Sequence, residues 1–373
     1  MRFDVSCTAL SSRLQSISKV IASKNSLPIL DNFLFSLEGN MLTITAADSE
    51  TRLTTTVQVM NVQGSGVFTL SAKNMLDPLK ELPEQPITFD INDSNLDIYI
   101  YFQNGKYNFI GTRGDAYPQQ RPLSSNAVTL NLDAKILLGG INRSLFATAD
   151  DELRPAMNGI FFDIQTDSLT FVASDGRKLV RLRNDSVKSP ERASFILPKK
   201  PANLLKTLLV KEEGNVQIRF DENSAHLACE SFEMVCRLIE GRYPNYNGVI
   251  PQENPYKATV DRLSFLTALK RVSVFSQASS LVKLQLKSDE ITIFGQDIDF
   301  SIAAEEHIPC SFDGPDTTIG FNAVYLIEIL SNISSADVIL ELADRTRAGV
   351  IVPSENEENE DLLTLLMPMM LND

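Results

Sequence analysis

Histidine is nearly missing from this chain of 373 residues: there are two, His226 and His307, each alone. No H-E-x-x-H, Walker A loop or G-x-S-x-G elbow occurs, so the sequence signatures of zincins, P-loop NTPases and α/β-hydrolases are absent. Gly64-Ser65-Gly66 lacks the third glycine of a dinucleotide loop and follows a polar turn, which predicts a hairpin connection instead. The four cysteines, Cys7, Cys229, Cys236 and Cys310, form no C-x-x-C pair. Free, buried or half-buried thiols in a reducing compartment are expected, with no metal and no cofactor. No run approaches the roughly 18 apolar residues of a membrane span, and no apolar h-region follows a basic start. A cytoplasmic protein with no membrane association is the expectation. Basic surplus is lacking too: 34 Lys and Arg stand against 48 Asp and Glu, a net charge of −14. Taken as a total, that argues against a nucleic-acid binder.

What is present is a large apolar content, 43%, enough for two or three domains, and a pattern that recurs three times. Each unit opens with an alternating strand and an amphipathic helix, at residues 2–23, 128–147 and 257–277. In the first helix Leu10, Leu14, Ile17 and Ile21 recur at helical spacing. A pair of alternating strands follows, ending on a turn that holds Asp48, Asp175 or Asp297. A strand and a second helix come next, and two more strands close the unit. The pattern predicts an α+β fold: three tandem copies of a unit with two helices on one face of an antiparallel sheet. Pro-rich stretches at 119–126 and 251–256 divide the chain into residues 1–124, 125–252 and 253–373.

Charge is distributed unevenly over these elements. The predicted helices, at 8–23, 72–82, 134–147, 199–209, 262–277 and 322–332, hold 12 basic residues and only 3 acidic ones, Asp77, Glu81 and Glu328. The bases include Lys73, Arg143, Lys199, Lys200, Lys206, Lys270 and Arg271. A solvated helix face accepts Glu as readily as Lys, so near-exclusion of Glu points to a layer that attracts a polyanion. The three repeated aspartates admit two readings. They are turn residues bonding local backbone, or the acids of a nucleic-acid-processing enzyme. A monomeric peptide-binding adaptor is a further alternative.

Several segments, in order, resemble a known family. They are Leu27-Pro28-Ile29-Leu30, Met157-Asn158-Gly159, Val172-Ala173-Ser174-Asp175-Gly176, Leu197-Pro198-Lys199-Lys200, Glu240-Gly241-Arg242-Tyr243-Pro244-Asn245-Tyr246, Gly320-Phe321-Asn322 and Met367-Pro368-Met369-Met370-Leu371. Over essentially its whole length the chain resembles the bacterial DNA polymerase III beta subunits, the beta sliding clamps. The resemblance implies a non-catalytic DNA clamp fold: a homodimer forming a ring around duplex DNA, held without regard to sequence. It also implies as partners the DNA polymerase III catalytic subunit, an ATP-driven clamp loader and other proteins bearing a clamp-binding motif. Lys24, Lys73, Lys199 and Lys200 match basic positions near the hole. The dimer contact would join Tyr107 and Phe109 to Val274 and Phe275. A partner-peptide pocket would use Arg154, Met157, Ser174, Gly176, Arg177, Lys178, Leu179, Pro244, Val249, Asn322, Tyr325, Leu365, Met367, Pro368 and Met369. The chain departs from the family at Arg177-Lys178, where His-Arg is usual, and at Ala156, Gly248 and Met370.

Overall fold

Helices in this protein follow strands without a connecting loop, because the last strand residue is itself the cap. The side chains of Ser6, Ser71, Asp261 and Asn322 each accept the backbone N–H three residues on, at 3.2, 3.4, 2.7 and 3.2 Å. This satisfies one of the orphan donors of the first turn. The computed structural model describes residues 1–297 and 299–371.

The first repeat runs β1 (Arg2–Ser6), α1 (Cys7–Ser18), β2 (Asn32–Glu38), β3 (Met41–Ala47), β4 (Thr51–Gln58), β5 (Met60–Gln63), β6 (Gly66–Ser71), α2 (Ala72–Lys80), β7 (Pro86–Ile91), β8 (Asp97–Phe102), β9 (Gly105–Ile110) and β10 (Thr112–Arg113). The second runs β11 (Val128–Asp133), α3 (Ala134–Ser144), β12 (Gly159–Ile164), β13 (Leu169–Ser174), β14 (Lys178–Asn184), β15 (Ala193–Pro198), α4 (Lys199–Leu208), β16 (Asn215–Phe220), β17 (Ser224–Ala228) and β18 (Glu233–Arg237). The third runs β19 (Tyr256–Asp261), α5 (Arg262–Val272), β20 (Leu281–Leu286), β21 (Glu290–Asp297), β22 (Ile302–Pro309), β23 (Ser311–Phe312), β24 (Thr317–Asn322), α6 (Ala323–Ser331), β25 (Asp337–Leu342), β26 (Gly349–Pro353) and β27 (Glu360–Leu366).

Three details depart from the sequence reading. Each repeat closes on three strands rather than two: β7–β9, β16–β18 and β25–β27. Their short turns left no composition break to count. The first helix stops at Ser18, and Ile21 lies beyond it, where a tighter turn bonds Ile21 N–H to the Ser18 carbonyl. Gly64-Ser65-Gly66 is not a hairpin connection, since β5 pairs with β1 while β6 pairs with β2 in another sheet.

The chain forms two compact units, residues 1–135 with 204–238, and residues 136–203 with 239–373. The first unit holds a five-stranded sheet, β5-β1-β7-β8-β9, and a nine-stranded one, β10-β6-β2-β3-β4-β18-β17-β16-β11. The second holds a nine-stranded sheet, β15-β12-β13-β14-β27-β26-β25-β19-β23, and a four-stranded one, β22-β21-β20-β24. A repeat is therefore divided between two sheets rather than laid on one. Its opening and closing strands (β1 with β7–β9 and their equivalents) make one half-sheet. Its middle strands make another. In both nine-stranded sheets two half-sheets from successive repeats are zipped together, β4 to β18 and β14 to β27.

One face of each seam is buried. Leu53 of β4 lies opposite Met234 of β18, and neither side chain reaches solvent. In the first unit Phe3 stacks on Phe89 at 4.8 Å and Phe35 on Phe68 at 5.0 Å, while Leu10, Leu14 and Ile17 of α1 are fully buried. In the second, Phe162 stacks on Phe195 at 4.4 Å. Cys7 and Cys236 are buried, Cys229 and Cys310 half-buried, and all four are free. Burial pushes the Cys229 and Cys236 thiols up to about 12, so neither is a thiolate near neutrality. Among the described residues no helix is long and apolar enough to cross a membrane.

Leu53→Ala and Met234→Ala should each lower stability by about 2–5 kcal/mol through the cavity left at the seam. Because the two side chains face each other, the double variant should depart from additivity by about 0.5–3 kcal/mol in urea unfolding. Strict additivity would mean that the seam is not packed as described.

Candidate functional site

The turn after β13 shows how the sequence builds the site. Asp175 Oδ1 accepts from the N–H groups of Arg177 and Lys178 at 2.8 and 2.9 Å. Gly176 sits at φ +87°, in the left-handed region where a side chain is strained. Asp48 makes the same pair of bonds, to Glu50 and Thr51 at 2.8 and 2.6 Å. Asp297 makes it with Asp299 and Phe300 at 3.1 and 3.3 Å. The three repeated aspartates are thus turn residues. Among the described residues no group of three His, Cys, Asp or Glu could hold a metal ion.

Around the second of these turns the structure assembles most of the residues named for a partner pocket. Leu179 and Leu365 share a buried cluster with Val172, Ile196, Tyr243 and Ala348, against which Ala156, Tyr246 and Ile250 pack. The Met367 N–H donates to the Arg177 carbonyl at 2.8 Å, and the Arg177 guanidinium donates to the Tyr325 hydroxyl at 3.3 Å. That bond raises the Arg177 pKa above the ordinary arginine value. Arg154 is held by Asp151 at 2.8 Å and lies over Gly176, where an added Cβ would meet its Nη1 at 2.8 Å. Ser174 is buried, its hydroxyl donating to the Lys178 carbonyl.

The tail arrives by a separate route. After β27 the chain leaves the sheet, and Met369 forms a single antiparallel bridge to Gly320 on β24. A side chain at Gly320 would strike Leu371 at 2.7 Å and the Met369 carbonyl at 2.9 Å, so this close approach depends on glycine. Val249 and Met367 are left 57% and 44% exposed, and Pro244 is exposed as well, giving the site an apolar rim. Met157 is different. It is buried at 7% exposure, in a 3-10 turn.

Two of the named residues are committed to the fold. The Asn322 side-chain oxygen is spent on capping α6, accepting from Val324 and Tyr325, so only its amide N–H groups remain for a ligand. The Lys178 side chain is 5% exposed, with Nζ 3.2 Å from Asp175 and 2.9 Å from Glu328. Nζ also lies 4.1 Å from the Tyr325 ring centroid and 5.9 Å from that of Phe146. A charge enclosed this way is a strut between β14, α6 and the end of the preceding helix, not a group free to meet a ligand.

The basic residues of the helix layer separate similarly. In the first unit Lys24, Lys73 and Lys206 are exposed; in the second, Lys200 and Lys270 are exposed, and Lys199 pairs with Asp150 at 2.6 Å. Arg143 must be withdrawn from this set, whereas Arg271 is paired, like Lys199, but keeps a side chain 60% exposed. The Arg143 side chain is 15% exposed and paired with both Glu357 and Glu360, so its charge is neutralised within the fold. Arg271 grips Glu306 of β22 through two bonds, at 2.8 and 2.5 Å. Neither carboxylate partner was legible in a tally by helix, because each lies on a distant strand or loop.

The apolar edge residues complete the picture. Tyr107 and Phe109 lie half-buried on β9, the last strand of the five-stranded sheet. Val274 is 55% exposed in a 3-10 turn after α5, with Phe275 half-buried beside it. Sequence reading missed Ile110, Phe300 and Ile302, which are 80%, 76% and 42% exposed on or beside β9 and β22. Ile110 had a signal: it shares strand parity with Lys106 and Asn108, an apolar residue on a polar face.

Comparison with known proteins identifies the family. Residues 1–120, 131–245 and 247–370 match the N-terminal, central and C-terminal domains of the DNA polymerase III beta subunit. A beta sliding clamp of Pseudomonas putida is 26% identical over 373 residues, all of both chains. One of Synechococcus elongatus is 27% identical, covering 92% of this chain and 93% of its own. Among solved structures, the sliding clamp of Pseudomonas aeruginosa bound to griselimycin superposes with a TM-score of 0.94 at 25% identity. The beta subunit from Thermotoga maritima gives 0.90 at 25%. Both structures are covered completely, as is this chain.

Removing the enclosed charge tests the strut. Lys178→Met should lower stability by about 1–3 kcal/mol, chiefly by leaving the mostly buried Asp175 without its cation, Glu328 being partly exposed. Adding Glu328→Gln should recover part of that loss in urea unfolding. Equal stability of Lys178→Met and the parent protein would contradict the arrangement.

Proposed function

We propose, starting from the fact that this chain belongs to the DNA polymerase III beta subunit family, that it is a sliding clamp: a ring-forming homodimer that tethers a replicative DNA polymerase to duplex DNA. Its three clamp domains are taken as residues 1–124, 125–252 and 253–373. It performs no chemical step, and its contribution to synthesis is topological. The protein works in the cytoplasm, where a loader opens the ring. A closed ring stays on DNA without tight binding, so its contacts go to phosphates and carry no base readout. Lys24, Lys73, Lys199, Lys200, Lys206 and Lys270 supply them, while the acidic remainder of the chain keeps other surfaces off the duplex.

The observation that carries the dimer is the sheet pattern. β9 corresponds in repeat order to β18 and β27, and β22 to β4 and β14. In the two nine-stranded sheets those equivalents are paired. Among the described residues β9 and β22 have no partner on their outer sides. Pairing β9 of one copy with β22 of another repeats the seam twice more, and two such contacts close a head-to-tail dimer. Tyr107, Phe109 and Ile110 would then meet Val274, Phe275, Phe300 and Ile302.

The apolar rim around Val249 and Met367 receives the partners' peptides. Adaptable methionines suit a site that reads several sequences. Two or three buried anchors give about −8 kcal/mol, a dissociation constant near micromolar, weak enough for exchange between polymerase, loader and other partners.

Two experiments follow. Phe109→Asp with Ile110→Asp should convert the dimer to folded monomers in sedimentation, and a dimer unaffected at micromolar concentration would place the contact elsewhere. Val249→Ala with Met367→Ala should weaken a Gln-x-x-Leu-Phe peptide tenfold or more, about 1.4 kcal/mol, with the dimer intact. Unchanged peptide affinity would move the partner site off this rim.

A further inference from the structure

Helix α5 covers one face of the four-stranded sheet: Ile293 of β21 is buried there, and Arg271 reaches Glu306 of β22 there. Successive side chains of a strand point to opposite faces, so Phe294 and Glu305 fall on the other face. That face carries a groove of about 1000 Å³. A row of facing residues crosses it, with Gly320 on β24, Lys283 on β20, Phe294 on β21 and Glu305 on β22. At the Gly320 end the tail lies on the sheet, and Met370 forms a wall of the groove. The turn holding Asp297 and Asp299 borders it at the strand ends. We infer that this groove receives a basic and apolar stretch of a clamp partner, the stretch that flanks the peptide entering the rim at Val249 and Met367. The inference rests on the proposed peptide-binding role and adds a second contact to it.

Continuity favours one occupant for both places. Met367 belongs to the rim and Met370 to the groove, three residues further along the same tail. Three extended residues cover about 10 Å, so a bound peptide needs only a short flank to arrive. The groove floor lies on β20 and β21, inside the sheet, so pairing the β22 edge with another copy leaves it open.

Charge and apolar surface select the flank. Asp297, Asp299 and Glu305 line the groove against Lys283 alone, which makes it negative. Asp297 is committed to its turn, and Glu305 lies 3.1 Å from His307 Nε2. Asp299 is exposed and makes no ion pair among the described residues. Phe294 and Leu281 are half-buried, and Met370 is 78% exposed. The three offer a seat to one large apolar side chain, with a cation beside it answering the carboxylates. The same charge repels a nucleic-acid backbone.

Peptide titration of the full-length protein tests the groove. The probes are the Gln-x-x-Leu-Phe peptide alone and the same peptide lengthened by about six residues, a reach of roughly 20 Å. The addition stands at one end or the other and carries Arg and Leu, or Glu and Leu as a control. One of the two Arg-Leu peptides should bind about fivefold tighter than the short one, and the gain should shrink as salt rises. Asp299→Lys should abolish the gain while the short peptide keeps its parental affinity, which also shows that the variant is folded. Phe294→Ser should reduce the gain as well. If neither Arg-Leu peptide binds tighter, if the gain survives Asp299→Lys, or if the Glu-Leu control gains more, the groove is not the seat of a basic flank and the peptide reading stands. If the short peptide itself fails to bind the parent protein, both readings fall.

Discussion

A β-sheet edge exposes a row of unsatisfied N–H and C=O groups, and the remainder of this structure depends on how those edges are disposed of. No repeat makes a closed sheet by itself. Each folds into two half-sheets, one ending on its last closing strand and the other on the strand after its aspartate turn. The seams β4·β18 and β14·β27 consume four of the six edges of this kind. β9 and β22 carry the remaining two, together with exposed Ile110 and Ile302. A protein that repeats one edge-pairing rule throughout its chain has in those strands the means to repeat it between chains, and the proposed ring is what that rule gives when applied to the end.

The same economy governs charge. The helix layer looks uniformly basic in sequence, yet its cations have different fates. Arg143 and Arg271 are bound by carboxylates, Arg262 donates to the Ser335 and Leu330 carbonyls near the end of α6, and Lys178 is enclosed between Asp175, Glu328 and two rings. The lysines that reach solvent, Lys24, Lys73, Lys206 and Lys270 among them, are a smaller set. Phosphate contacts of that kind hold position without creating sequence traps, which suits a protein proposed to move along DNA.

Much of this was legible in the sequence because it rests on local rules. The threefold recurrence, the strand-to-helix starts and the aspartate turns follow from periodicity and from short-range hydrogen bonding. Leu179 and Leu365 lie in one buried cluster, and the Arg177 carbonyl accepts from the Met367 N–H. What could not be read depends on pairing across long separations. The division of each repeat between two sheets, the Arg143 partners more than 200 residues away, and the burial of Lys178 require tertiary context. Gly64-Ser65-Gly66 shows the difference: its composition announces a turn, but only the pairing of β5 with β1 shows that the turn changes sheets.

The central claim is that β9 and β22 are two halves of one seam, joined only between copies. Amide hydrogen exchange, followed above and below the concentration at which the dimer dissociates, reads this directly. The account predicts that backbone N–H groups of β9 and β22 become unprotected together on dilution, while β4, β18, β14 and β27 keep their protection. Protection of β9 and β22 that is independent of concentration, or deprotection at one edge without the other, would contradict it.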